Sequence, residues 1–303
     1  MLTSLLSIYI TSVINTHIGE NMGTFPTLKT PIATAASFNA DELTEIKSIP
    51  KKNVDLIAPI INSKASIAID NTSGVSLFGD NAHERLPIAS ITKLMTILII
   101  LEDNKLDDVA TVSKTAISTS GTTMFLVEGE KITLRNLIYG SIINSANDAA
   151  LTLAEFNAGN VEAFVKKMND KALQLGLVNT HFSTPTGLDN KNNYSSASDI
   201  ATLARYVYQK QFIRDAAQIK ETSVASIDNA YIHKLISTNE LLGNPYYKIK
   251  GLKTGSTDEA GQCLVSVAEN DQGKEIITVL LNSPARFTET KILVDWVFRA
   301  YTW

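Results

Sequence analysis

The stretch ASIAIDNTSGVSLFGD places two short strand-like runs around Asp70-Asn71-Thr72-Ser73-Gly74, a turn-forming cluster, and so predicts a β-hairpin. From Ser90 the run SITKLMTILIILED becomes steadily more apolar and predicts a helix. Between residues 106 and 215 the segments LRNLIYGSII, NDAALTLAEF, VEAFVKKMNDKALQLG and SASDIATLARYVYQ each repeat apolar residues three and four apart. That period predicts helices, separated by Gly/Asn/Pro-rich loops such as STPTGLDNKNN. Strand-like runs return at GLKTGST, CLVSVAEN and EIITVLLN, and FTETKILVDWVFRAY is helical in period to the end of the chain. A strand pair, a helical block, further strands and a last helix predict an α/β (α+β) fold, a sheet with a helical lobe inserted over about 106–215. There is no internal repeat.

The first residues, MLTSLLSIYITSVI, have an apolar run of signal-peptide size, yet no Lys or Arg precedes Lys29. We expect an export signal or N-terminal anchor over residues 1–22. The small-residue triplet Ala33-Thr34-Ala35 lies well past the apolar run. Residues 24–52 are rich in Thr, Ala, Ser and Pro without a sustained apolar period, which suits a linker, set here at 23–55, with the folded domain over 56–303.

At 303 residues, 44% hydrophobic and 19% charged, the chain can bury a full core. Its formal charge of −4 and lack of a dense Lys/Arg block argue against a nucleic-acid partner, because phosphate binding needs clustered cations. A single cysteine, Cys263, excludes an intrachain disulfide framework and any multi-cysteine metal site. The four histidines (His17, His83, His181, His233) show neither His-Glu-x-x-His spacing nor a neighbouring Gly-x-Ser-x-Gly elbow. No metal or organic cofactor is expected, and a serine nucleophile in this chain needs a base other than histidine.

One candidate base is three residues from a serine. On a helix, Ser90 and Lys93 of PIASITKLMT share a face. Ser48 and Lys51 match the same pattern, but Pro50 disfavours a helix there. A serine at a helix N-terminus lies among unpaired backbone N–H groups that favour an oxyanion. Lys93 must then be neutral to accept a proton. Burial beside Leu94, Met95 and Ile97, with a second cation nearby, lowers a lysine's pKa. Lys253-Thr254-Gly255 occurs once and offers that cation; on a strand Lys253 and Gly255 share a face, and Gly255 leaves room for close approach. Ser145-Ala146-Asn147 lies in a loop between two predicted helices, although Ser-x-Asn also occurs at Ser37 and Ser237. Each motif has a plain structural alternative: a helix cap at Ser90, a solvated edge strand, and an N-cap pair for NDAALTLAEF.

Together and in this order, Ser-x-x-Lys, Ser-x-Asn and Lys-Thr-Gly resemble the set of penicillin-binding proteins and class A β-lactamases. The chain is similar to serine-type D-alanyl-D-alanine carboxypeptidases, the low-molecular-mass penicillin-binding proteins, over roughly residues 60–301. PIASITKLMT, GTTMFLVEGEKITLRNLIYGSIINSANDAA, LGLVNTHFSTPTGLDNKNNYSSASDIA, KLISTNELL, GLKTGSTDEAGQCLVSVA and ARFTETKILVDWVF each resemble a family block.

The resemblance implies a β-lactamase/transpeptidase-like fold, an antiparallel sheet flanked by helices. It also implies acyl transfer from a peptidoglycan stem peptide, with β-lactams as covalent inhibitors, on the outer side of a bacterial cytoplasmic membrane. In that reading Ser90 is the nucleophile and Lys93 the base. Ser145 relays a proton between Lys93 and the leaving nitrogen, and Asn147 holds the substrate backbone and Lys93. The N–H groups of Ser90 and Ser256 form the oxyanion hole, while Lys253, Thr254, Gly255 and Arg286 line the carboxylate site.

Two positions depart from the family pattern: Ser256 stands where histidine is frequent, and Ala146 where glycine is. The C-terminal β-rich domain and amphipathic helix of many relatives are expected to be absent after Trp303, so membrane contact is expected only through the N-terminal segment. A class A β-lactamase needs a glutamate in the region that reads THFSTPTGLDNKNNYSS, where there is none. A D,D-endopeptidase of the same family and a non-catalytic penicillin-sensing or wall-binding module stay open as alternatives; Lys93 and Lys253 together favour turnover.

Overall fold

Residues Ile276 to Leu281 of the strand Glu275–Ser283 are buried without a break, which requires a sheet covered on both faces. The computed structural model describes residues 49–303. In it this strand, β5, belongs to a five-stranded sheet with β1 (Ala65–Asp70), β2 (Ser76–Asp80), β3 (Lys248–Thr257) and β4 (Gly261–Glu269), in the order β3-β4-β5-β1-β2. Every neighbouring pair is antiparallel, and Val279 stands opposite both Val265 and Ile67. The predicted hairpin is β1–β2. Strand β3, which carries Lys-Thr-Gly, is an edge strand with one side free of the ladder.

Six longer helices complete the fold: α1 (Lys93–Asp103), α2 (Leu134–Ile143), α3 (Asn147–Ala158), α4 (Val161–Gln174), α5 (Ala197–Tyr208) and α6 (Arg286–Ala300). Ile67, Val265, Val267, Ile277 and Val279 share a core with α1 and α5. The alternate residues Ala68, Leu264, Ile276 and Leu280 pack under Leu293, Val294, Trp296 and Val297 of α6. Burying each large apolar side chain contributes about 1.5–3 kcal/mol, so the period-2 pattern fixes both layers at once. Helix α1 differs from the rest, because Lys93 to Ile100 are buried without a break. An all-round buried helix belongs inside the protein. α1 packs against α2, α3 and α4 on the lobe side and against α5.

Local signals set the helix ends. Thr133, Asn160 and Ser196 accept the capping N–H of α2, α4 and α5, and Gly159 ends α3 at φ +80°. The lobe also contains a small hairpin, Val109–Thr111 with Lys131–Thr133, and Tyr194–Ser195 pairs with Leu86–Pro87. These pieces are too short to produce a period of their own. A further hairpin, Glu221–Ala225 with Ile232–Ile236, follows the lobe.

At the start of the described chain Lys51–Lys52 pairs with Tyr301–Thr302, so regular structure begins ahead of Leu56. The segment expected as an export signal or anchor, with the linker up to residue 48, lies outside the described residues. Among the described residues no helix is long and apolar enough to cross a membrane.

Candidate active site

Ser90 lies one turn ahead of α1 proper. Ala89–Thr92 is a 3₁₀ turn that runs into the α-helix at Lys93, so the helix predicted from Ser90 begins three residues later. Ala89 has φ +48°, and no side-chain cap forms at either helix start. The cap alternative for Ser90 is therefore not realised. Two glycines let neighbouring segments close on this turn. A Cβ at Gly187 would lie 1.9 Å from the Ala89 carbonyl oxygen; one at Gly255 would lie 3.0 Å from that of Ile88 and 3.2 Å from Ser90 N. The edge strand β3 thus passes directly against the backbone of Ser90.

Lys93 is fully buried. Its Nζ lies 2.8 Å from Ser90 Oγ, 2.7 Å from Asn147 Oδ1 and 2.7 Å from the Thr186 carbonyl oxygen. The last two oxygens can only accept. A neutral amine has two N–H donors and one lone pair, so with both donors committed to Asn147 and Thr186 the lone pair faces the Ser90 hydroxyl. Burial first, and the charge of Lys253 second, hold the Lys93 pKa well below the ordinary lysine value; Asp148 pulls the other way.

Asn147 is the first residue of α3, and Ser145 before it has φ +61°. Neither side chain caps the helix. Asn147 instead accepts from Lys93 through Oδ1, donates through Nδ2 to the Ser120 carbonyl at 2.7 Å, and gives its backbone N–H to Thr122 O at 2.7 Å. Ser145 Oγ accepts from Lys253 Nζ at 2.8 Å. The three nearest oxygens of Lys93 are those of Ser90, Asn147 and Thr186, so the hydrogen bond of Ser145 runs to the second lysine, not to the first.

Lys253 is buried on β3 and also donates to the Thr254 carbonyl at 2.8 Å. Burial and the neighbouring Arg286 lower its pKa to about 7. Thr254 is buried too, with its hydroxyl 2.5 Å from that of Thr238. Arg286, at the start of α6, donates to the Gly255 carbonyl at 2.7 Å and stacks over Phe287. Ser256 is exposed on the free edge. Ser90, Lys93 and Asn147 form one hydrogen-bonded group, Ser145 and Lys253 a second, and Gly255 and Arg286 a third along the same edge.

Sequence reasoning missed Thr186, Thr238, Gly187 and Asp148. Thr186 acts through its backbone oxygen, which no side-chain pattern reveals. Thr238 lies inside KLISTNELL, where only its spatial neighbour Thr254 marks it out. Cys263 packs in β4, buried, its thiol pushed up to about 11 by burial. Among the described residues no group of three or more His, Cys, Asp or Glu side chains is arranged to hold a metal. The arrangement provides a hydroxyl beside a lone pair, and beyond it two cations and hydroxyls suited to an anionic ligand.

Comparison with known proteins points to one family. The family model for D-alanyl-D-alanine carboxypeptidase matches residues 52–285. The D-alanyl-D-alanine carboxypeptidase DacF of Bacillus subtilis is 35% identical over 246 residues, 79% of this chain and 63% of that protein. A D-alanyl-D-alanine endopeptidase of Pseudomonas aeruginosa is 35% identical over 71% of this chain and 70% of its own length. Among solved structures, the Streptomyces K15 DD-transpeptidase superposes with a TM-score of 0.75 at 30% identity, covering 80% of this chain and all of that one. The chain spans about 63% of the length of the first carboxypeptidases it matches. With an edge strand beside a buried lysine and a family match over residues 52–285, the chain belongs to the D-alanyl-D-alanine carboxypeptidase family.

Proposed function

We propose that this protein is a serine D,D-carboxypeptidase that removes the terminal D-alanine from peptidoglycan stem pentapeptides and is acylated by β-lactams. The observation that carries the reading is the buried Lys93 amine, with two donors occupied by oxygens that only accept and its third position at Ser90 Oγ. Ser90 Oγ bonds to the carbonyl carbon of the penultimate D-alanine while its proton passes to Lys93. The N–H groups of Ser90 and Ser256 take up the oxyanion, a contribution of about 3 kcal/mol per donor. The C–N bond then breaks as the proton held by Lys93 is relayed through Ser145, itself held by Lys253, to the departing amine of D-alanine, which leaves Lys93 neutral again. Lys93 then takes a proton from the water that attacks the Ser90 ester, and returns it to Ser90 Oγ as the C–O bond breaks. Lys253, Thr254 and Arg286 bind the terminal carboxylate, which distinguishes a chain end from an internal amide.

Such a substrate lies outside the cytoplasm, so the site of action is extracytoplasmic, with any membrane attachment through the N-terminal residues. Fluorescent penicillin should label the protein and fail to label Ser90→Ala, and D-alanine should be released from a pentapeptide. Labelling of Ser90→Ala at the wild-type level would refute the assignment. The endopeptidase relative supports a second reading, cleavage of cross-links by the same site. In that case cross-linked dimers are cut and the pentapeptide is not.

A further inference from the structure

Phe125 has φ +62° and is 83% exposed. A bulky residue in the left-handed region is an outlier that persists only where the surroundings impose it. Here they do. The buried Asp148 carboxylate accepts the N–H of Met124 and of Leu126, each at 3.0 Å, gripping the chain on both sides of Phe125. The Met124 carbonyl is 2.9 Å from Nδ1 of His233, a histidine whose other ring nitrogen lies 2.8 Å from Glu130. Met124 itself is buried against Gly140, where a Cβ would come within 2.4 Å of its sulfur. The backbone conformation is thus fixed by buried groups, while the ring it displays is in the open.

The placement of this loop matters. Its preceding residues run along the candidate active site: Ser120 O accepts from the Asn147 amide, Thr122 O from the Asn147 N–H, and Thr123 O from Asn144 Nδ2 at 3.0 Å. Asp148, which grips Phe125's neighbours, directly follows Asn147. The carboxylate end of a ligand is drawn to the other wall, at Lys253, Thr254 and Arg286. The acyl part that stays on Ser90 is then left to pass the Asn147 side.

We propose that Phe125 is a specificity-determining platform for the apolar side chain on the acyl side of the ligand, whether alkyl in a peptide or aryl in a penicillin. The proposal rests on the acyl-transfer reading above. An exposed ring carried on a backbone held by buried groups offers a large face left open among the described residues, and aromatic contacts of this kind change affinity by about two- to tenfold.

The test compares acylation efficiency by benzylpenicillin, which has an aryl side chain, with that by 6-aminopenicillanic acid, which has the same nucleus and none. The variants are Phe125→Asn and Phe125→Trp. Asparagine accepts a positive φ more readily than phenylalanine, so the melting temperature of Phe125→Asn should be unchanged or higher. Its acylation by benzylpenicillin should fall about two- to tenfold while that by 6-aminopenicillanic acid holds, and Phe125→Trp should keep the aryl preference. Equal losses for both compounds, or no loss, would overturn the role of Phe125. Failure of the wild type to take up either compound would instead overturn the acyl-transfer reading itself.

Discussion

Lys253 is buried with its pKa lowered to about 7 from an ordinary value of 10.5, so the fold is penalised for keeping this amine charged. The gap corresponds to about 5 kcal/mol. Below about pH 7 the amine is protonated in folded and unfolded chains alike, and the full penalty applies. Between about 7 and 10.5 the unfolded chain holds a proton that the folded one has shed, so stability rises with pH; above 10.5 the penalty is gone. Lys253→Met keeps much of the volume and removes the charge, but forgoes hydrogen bonds to Ser145 and to the Thr254 carbonyl, about 1 kcal/mol each. The variant should therefore be more stable than wild type by about 3 kcal/mol at pH 6, and less stable by about 2 kcal/mol near pH 10.5. Release of Lys93 from the neighbouring charge acts in the same direction at low pH. Urea unfolding of both proteins at several pH values measures the difference, in which unrelated titrations cancel. A stability difference that stays constant from pH 6 to 10 would refute the reasoning. Acylation by penicillin should fall sharply in the same variant, a trade of activity for stability.

Three other outcomes follow from the geometry. Gly255→Ala puts a Cβ 3.0 Å from Ile88 O and 3.2 Å from Ser90 N; it should cost about 1–2 kcal/mol of stability and slow acylation by about tenfold or more through displacement of the nucleophile. A lowered melting temperature with an unchanged acylation rate would contradict this. Gly187→Ala needs φ +84° and places a Cβ 1.9 Å from Ala89 O, so a loss above about 3 kcal/mol is expected, and a melting temperature like the wild type's would be incompatible with the packing described. Acylation rates should decline on acidification as Lys93 becomes protonated, its pKa being lowered by burial first and by Lys253 second; a rate that never falls across the acidic range in which the protein stays folded would rule out Lys93 as base.

The fold was readable in the sequence where an element buries a face. The hairpin at Asp70–Gly74, the helices of the lobe and the three late strands all appear where their apolar periods place them. Elements that bury little were not readable: Val109–Thr111 and Glu221–Ala225 are half polar and exist because a partner strand satisfies them. The Ser90 turn departs from the helix that its pattern predicts for a related reason. Apolar period alone cannot separate a 3₁₀ turn from the helix it feeds, and the turn is held by Gly187 and Gly255, both distant in sequence. The spacing of Ser90 and Lys93 predicted their meeting because it is local. Asn147 and Ser145 meet different lysines across 54 and 108 residues, a division that no spacing rule contains.

Ser90 comes from the 3₁₀ turn and Lys93 from the first residue of α1, Asn147 and the Thr186 carbonyl from the lobe, and Lys253 from the edge of the sheet. No one piece, folded by itself, can hold the amine dry and aimed. A partly opened chain therefore loses the dry, aimed amine, and the arrangement proposed for acyl transfer exists only once lobe and sheet have closed on each other. The proposed chemistry is thus tied to completion of the core.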